Sequence, residues 1–148
     1  MTIERYVLEA DTGKNYYTAL YHTAMTISSS IELEQVLENI VEGVTKAMGV
    51  RATTLHLRDQ ESGQLRVGTA YGPSQAGLVP ALWASLKVYD EPIGVIRTYT
   101  DEPVTFQDED QKFLSILASL AAQAIENARL YGEVRSSYDG MVNAFLGI

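Results

Sequence analysis

The chain has 148 residues, 46% of them apolar and 20% charged, a size and balance that suit one globular domain with its own core. A formal charge of -8 argues against nucleic acid as a partner, because non-specific affinity for a phosphate backbone rests on Lys and Arg displacing counterions. The lack of cysteine removes thiolate catalysis, disulfides, thiolate metal sites and thioether-attached pigments, and two histidines are too few for a zinc site built on several of them.

In sequence order, residues 1–13 form an N-terminal tail with little pattern, closing on a turn at Asp11-Thr12-Gly13. From Lys14 the series Tyr17, Leu20, Ala24 and Ile27 steps by threes and fours, which predicts a first amphipathic helix that ends at Ser28-Ser29-Ser30. Ser29 and Glu32 have the spacing of a capping box for a second helix. That helix turns Leu33, Leu37, Ile40, Val44 and Ala47 inward and stops at Gly49.

From Ala52 the period changes to two. Thr53, Leu55 and Leu57 alternate with Thr54, His56 and Arg58, the mark of a half-buried strand, and a polar turn at Asp59 to Gly63 leads to a second strand over Leu65 to Tyr71. A third strand is expected over Ala81 to Val88, a turn at Tyr89 to Pro92, and a fourth strand from Ile93 to about Thr100. Between the hairpins lies only the link Gly72 to Pro80. Crossing the sheet in the strand order 2-1-4-3 takes roughly 14 Å at about 4.8 Å per strand step. Seven extended residues reach about 23 Å, so the link suffices.

The longest pattern runs from Phe106 to Phe145. Asp108 with Gln111 has capping-box spacing, and Asp108, Glu109 and Asp110 place carboxylates at the positive end of the helix dipole. Phe113, Leu117, Leu120, Ala124, Asn127, Tyr131, Val134, Tyr138, Met141 and Phe145 then step by threes and fours in a near-heptad seam. A second row, Leu114, Ala118, Ala121, Ile125 and Ala128, widens the apolar face with small residues. One side suits a sheet while the seam suits another helix. Gly132 and Gly140 each cost about 1 kcal/mol relative to Ala, so a bend or fray is expected after Tyr131. Helix, helix, hairpin, hairpin, helix implies an α+β domain whose antiparallel sheet of about four strands is backed on one face by N-terminal and C-terminal helices.

At this point the chain resembles a GAF domain, a sensory module of bacterial signalling proteins and phosphodiesterases. The likeness lies in Leu33-Glu-Gln-Val-Leu-Glu-Asn-Ile-Val, Glu91-Pro-Ile-Gly-Val-Ile, Phe106-Gln-Asp-Glu-Asp-Gln-Lys-Phe-Leu and Ala121-Ala-Gln-Ala-Ile-Glu-Asn-Ala-Arg-Leu-Tyr131. The resemblance implies a GAF/PAS-like sheet with ligand bound on the face opposite the helices, under a lid. It divides the chain into the tail, a GAF-like domain over 14–131 and a C-terminal helical extension over 132–148. The family usually places several tens of lid-building residues where this chain has Gly72 to Pro80, so a closed pocket is not expected. Cyclic-nucleotide-binding members carry Asn-Lys after the last strand, where Thr100-Asp101 stand here. Phytochrome-type members and free methionine sulfoxide reductases depend on cysteine, which this chain lacks.

On the face that the family uses for ligand, alternation places His56 and Arg58, joined by Trp83, Ser85, Arg97 and Tyr99. Such a set could hold an anionic or aromatic small molecule. A plainer reading has Trp83 and the arginine stems simply covering the sheet. His22 reads as a packed or interfacial histidine, and the acids around Asp108 as dipole partners rather than metal ligands. No nucleophile pairs with a base, and no glycine-rich phosphate cradle occurs.

The seam is the stronger lead, since Asn127 at a position that Leu would fill is a register-fixing device. A homodimer is expected through Tyr17, Leu20, Ala24 and Ile27 of the first helix and Leu120, Ala124, Asn127, Tyr131, Val134 and Tyr138 of the last. The expected function is a non-enzymatic regulatory domain of a signalling protein, sensing a small molecule, dimerising, or both, and passing its state through the C-terminal helix. A dimerisation module without ligand is the alternative. With no run of about 18 apolar residues and no basic-then-apolar N-terminal segment, no membrane span or signal peptide is expected, and the location reads as cytoplasmic. No cofactor is expected.

Overall fold

The computed structural model describes residues 16–147, so the expected tail and the helix start at Lys14 lie outside the described residues. The elements are α1 (Tyr16–Ser28), α2 (Leu33–Met48), β1 (Ala52–Arg58), β2 (Leu65–Tyr71), β3 (Val79–Val88), β4 (Glu91–Thr100) and α3 (Asp108–Leu146). The four strands form one antiparallel sheet in the order β2-β1-β4-β3, as the link length allows.

Leu55 and Ile96 stand opposite each other on β1 and β4, and Ala84 pairs with Ile96 from β3. All three are buried with Leu86 under the helices, which fixes the helix-facing side of the sheet. On it, α2 packs against β1 and β2, and α3 against β3 and β4. The core between these layers is built from Val36, Ile40, Val44 and Met48 of α2 and Leu114, Leu117, Ala121 and Ile125 of α3. The small residues of α3 let its backbone come close to the sheet.

The first helix departs from expectation in two ways. It packs on α2 and α3 rather than on the sheet, so the helix layer is doubled on that side. Its inward face also runs through Tyr16, Leu20, Thr23 and Ile27, while Tyr17 is 91% exposed. Gly43 of α2 makes room for this packing, because a Cβ there would stand 2.6 Å from Thr23 Cγ2.

Two capping expectations shift. The N-cap of α2 is Glu32 without a side-chain cap bond; Glu32 donates its N–H to Ser30 Oγ at 3.1 Å, and Ser29 instead donates to Thr26 O. At α3 the box sits one residue early: Gln107 is the N-cap and donates its N–H to Asp110 Oδ2 at 2.8 Å. A carboxylate reaching back does this better than an amide, since the bond is charge-assisted. The stop of α2 at Gly49 holds, with φ +66°.

Strands β3 and β4 each begin two residues earlier than expected, and the turn between them is only Tyr89-Asp90, which brings Glu91 and Pro92 into β4. Both residues have left-handed φ, 50° and 64°, the conformation a two-residue hairpin requires. The link 72–78 connects the two edge strands. Gly72 begins it at φ +100°, where a Cβ would press 2.4 Å from Arg51 O. The last helix does not end at Gly132: it continues through Gly132 and Gly140 to a left-handed cap at Gly147.

Candidate functional site

The sheet face away from the helices carries the residues nominated for ligand binding. In register across the strands, Trp83 pairs with Arg97 and Arg97 with Thr54, while Ser85 pairs with Val95 and Val95 with His56. A shallow groove of about 340 Å³ follows these rows, lined by Arg58, Leu65, Trp83, Ser85, Pro92, Gly94, Val95 and Arg97. The structure therefore brings Arg58, Trp83, Ser85 and Arg97 together. His56 lies in the row of Ser85 and Val95, and Tyr99 stands beyond Arg97 opposite Pro80 and Ala52, outside the groove.

Trp83 is 60% exposed, so it covers the sheet only in part. Beneath this layer Thr54 and Val95 are buried. Two polar atoms here lack hydrogen-bond partners although they are shut from solvent, Thr54 Oγ1 and His56 Nδ1. Most buried polar groups in proteins are paired, so two orphans on one strand face mark a place where a further donor or acceptor would fit. Burial lowers the pKa of His56, and the Arg97 guanidinium lowers it further, favouring the neutral imidazole. Neutral imidazole beside a cation can donate from one nitrogen and accept at the other. Thr54 joins the site only in the structure, although strand alternation puts it on this face; nothing in a sequence says that its hydroxyl lacks a partner.

The second surface is α3 itself. After Ala128, the last buried residue of the helix, every position from Leu130 to Met141 is exposed. Leu120, Asn127, Tyr131, Val134, Tyr138, Met141 and Phe145 form an open stripe at heptad spacing, with Ala124 half-buried among them. Asn127 accepts a hydrogen bond from Gln123 Nε2 at 3.2 Å. Of the α1 residues nominated for an interface, Tyr17 is exposed, Leu20 and Ala24 are half-buried, and Ile27 is 1% exposed inside the chain's own core. Ile27 is thus a core residue. The exposed apolar residues of α1 are Tyr17, Tyr21 and Met25.

His22 lines an open recess with Thr23, Thr26, Asn39 and Glu42 and is itself exposed. Among the described residues there is no group of three or more His, Asp or Glu arranged to hold a metal, and no helix long and apolar enough to cross a membrane.

No protein-family model and no curated protein sequence matches the chain. Solved structures do. The GAF domain of a phosphoenolpyruvate-protein phosphotransferase from Coxiella burnetii superposes with a TM-score of 0.71 at 18% identity, over 80% of this chain and 97% of that one. The GAF domain of a putative sensor histidine kinase from Pseudomonas syringae pv. tomato gives 0.70 at 15% identity, over 93% and 99%. Free methionine-R-sulfoxide reductase from Neisseria meningitidis, solved with its substrate, gives 0.67 at 16% identity, over 78% and 91%. Likeness at such identities is one of fold, and the fold of this chain is the GAF fold.

Proposed function

We propose that this chain is a non-catalytic regulatory module of a signalling protein, acting as a homodimer whose subunits meet along α3. The observation that carries this reading is the open heptad stripe from Leu120 to Phe145 on a helix that runs unbroken over Asp108–Leu146. A period of 3.5 sustained over that length fits a supercoiled partner helix, and a second copy supplies one with the same period. In a parallel, in-register pair each Asn127 faces its counterpart, a polar layer that sets register at some cost in stability. The GAF folds of a sensor histidine kinase and of a phosphoenolpyruvate-protein phosphotransferase support a regulatory role by analogy of fold.

Sedimentation velocity on the wild type and on a Tyr131→Glu/Val134→Glu variant tests this reading. The expected result is a dimer that becomes a folded monomer. A wild-type monomer, or a dimer that survives both charges, overturns it.

A second reading, small-molecule sensing on the open sheet face, draws on the orphaned Thr54 Oγ1 and His56 Nδ1 beside Trp83 and Arg97. A ligand there would act on α3 only by preferring one of two helix arrangements over the other. Native mass spectrometry of the purified chain tests it: added mass retained on the wild type and lost on Arg97→Gln supports sensing. A clean spectrum leaves dimerisation as the function.

A further inference from the structure

Where β1 finishes and β4 begins, the sheet meets α3 at a cleft of about 260 Å³ lined by Arg58, Gln60, Glu91, Pro92, Ile93 and Arg129. Arg58, the last residue of β1, also lines the sheet-face groove and a larger open groove along α3, so one side chain stands where all three meet. Arg129 follows Ala128, the last buried residue of α3, and so sits where the helix leaves the body of the domain.

Neither guanidinium has an ion pair among the described residues, in a chain with 19 acids against 11 bases. The adjacent acid, Asp59, is already engaged. It accepts from the Glu61 N–H and the Ser62 hydroxyl, each at 3.1 Å, and lies 3.1 Å from the Arg66 guanidinium. Glu91 shares the cleft yet pairs with neither arginine. Two like charges lining one small cleft repel each other, and an anion between them removes that repulsion while filling both donor forks.

We propose that this cleft binds a small dianion bearing paired oxyanions, of the phosphate or dicarboxylate type, held between Arg58 and Arg129 with the Gln60 amide as a further donor. The site adjoins the groove around Trp83 and Arg97 and shares Arg58 and Pro92 with it, but neither Arg129 nor Gln60 lines that groove. Bound there, the anion ties the end of β1 to the point where α3 leaves the domain, with Arg129 two residues before the exposed Tyr131. Its value as a signal rests on the reading of α3 as the output helix; its existence as a binding site does not.

The test is a titration of the 15N-labelled full chain with inorganic phosphate, and separately with succinate, at ionic strength held constant with chloride. The expected result is saturable amide shifts around residues 58–60, 91–93 and 129. The affinity should fall at least about fivefold in Arg58→Gln and in Arg129→Gln, rise in Glu91→Gln, and stay unchanged in Arg97→Gln. Saturation with phosphate alone identifies a phosphate-type ligand, with succinate alone a dicarboxylate; either supports the site. Shifts that stay linear with both anions, or that centre on Trp83 and vanish in Arg97→Gln, overturn it. Sedimentation on the same samples separates the two claims. A monomer that binds phosphate in the cleft keeps the site and removes the dimer, and a dimer without saturable binding does the reverse.

Discussion

Tyr16, the first described residue of α1, donates its hydroxyl to the carboxylate of Asp110, 94 positions further along the chain, and stacks on Phe113 with ring centroids 4.2 Å apart. Asp110 is buried and at the same time caps α3 through the Gln107 N–H. One carboxylate therefore joins the start of the first helix to the start of the last.

Tyr16→Phe keeps the ring stack and removes the hydrogen bond, so a loss of about 1 kcal/mol is expected in chemical denaturation. Burial first, and then Asp110, raise the Tyr16 pKa above its usual 10. A raised folded-state value means that the contribution is complete below pH 10 and is lost as the pH climbs through the folded value. Wild type should therefore lose stability above about pH 10 relative to Tyr16→Phe, and parallel pH profiles for the two would show that the bond contributes nothing.

Gly43→Ala sets two effects against each other. A helix interior gains about 1 kcal/mol from the exchange. The new Cβ, 2.6 Å from Thr23 Cγ2, costs about 1–3 kcal/mol in overpacking. A net loss is expected, recovered when Thr23→Ser removes the clashing methyl. A thermal melt of the double variant that shows no such recovery would place the strain elsewhere.

Thr54→Val replaces a buried, unpartnered hydroxyl by a methyl of the same shape. Without ligand, stability should be unchanged or higher by about 1 kcal/mol, since no hydrogen bond is lost and a desolvated oxygen is removed. A loss of more than that would reveal a partner for the hydroxyl, and denaturant midpoints decide the matter.

The lowered His56 pKa gives acid sensitivity of the opposite sign to that of Tyr16. Below the usual 6.5 the unfolded chain takes up a proton before the folded one does, so stability should fall as the pH drops from 6.5 towards the folded value. Arg97→Gln removes the secondary cause and should move the imidazole titration, followed by NMR, part of the way back up. A His56 that titrates at or above 6.5 in the wild type would contradict its burial.

Much of this architecture is legible in the residues, because strand and helix periods differ and the link between Gly72 and Pro80 limits how the hairpins can be joined. The errors have local causes. The periodicity of α1 points its inward face through Tyr17, because a sequence does not reveal that polar Thr23 goes inward against Gly43. The hairpin turn reads as four residues in the sequence, because Tyr rarely adopts left-handed φ and Glu91-Pro92 reads as loop. The α3 cap lies one residue before the position its sequence suggests, since Gln107 is an unusual N-cap and the carboxylate of Asp110 does the capping. The groove residues Arg58, Trp83, Ser85 and Arg97 could be placed by alternation alone, whereas the cleft beside Arg129 joins elements about seventy positions apart and has no sequence signature.

Beyond Ala128 no residue of α3 is buried, an exposed ion pair from Arg135 to Glu32 at 3.9 Å reaches back to the body, and the helix runs on to Leu146. At about 1.5 Å per residue that free segment is roughly 27 Å long. In the proposed signalling role that segment acts as a lever with its fulcrum at the last buried turn. A tilt of about 5° there, too small to disturb core packing, carries the tip through roughly 2.4 Å on the same helical rise, a displacement comparable with the helix shifts seen in switching proteins.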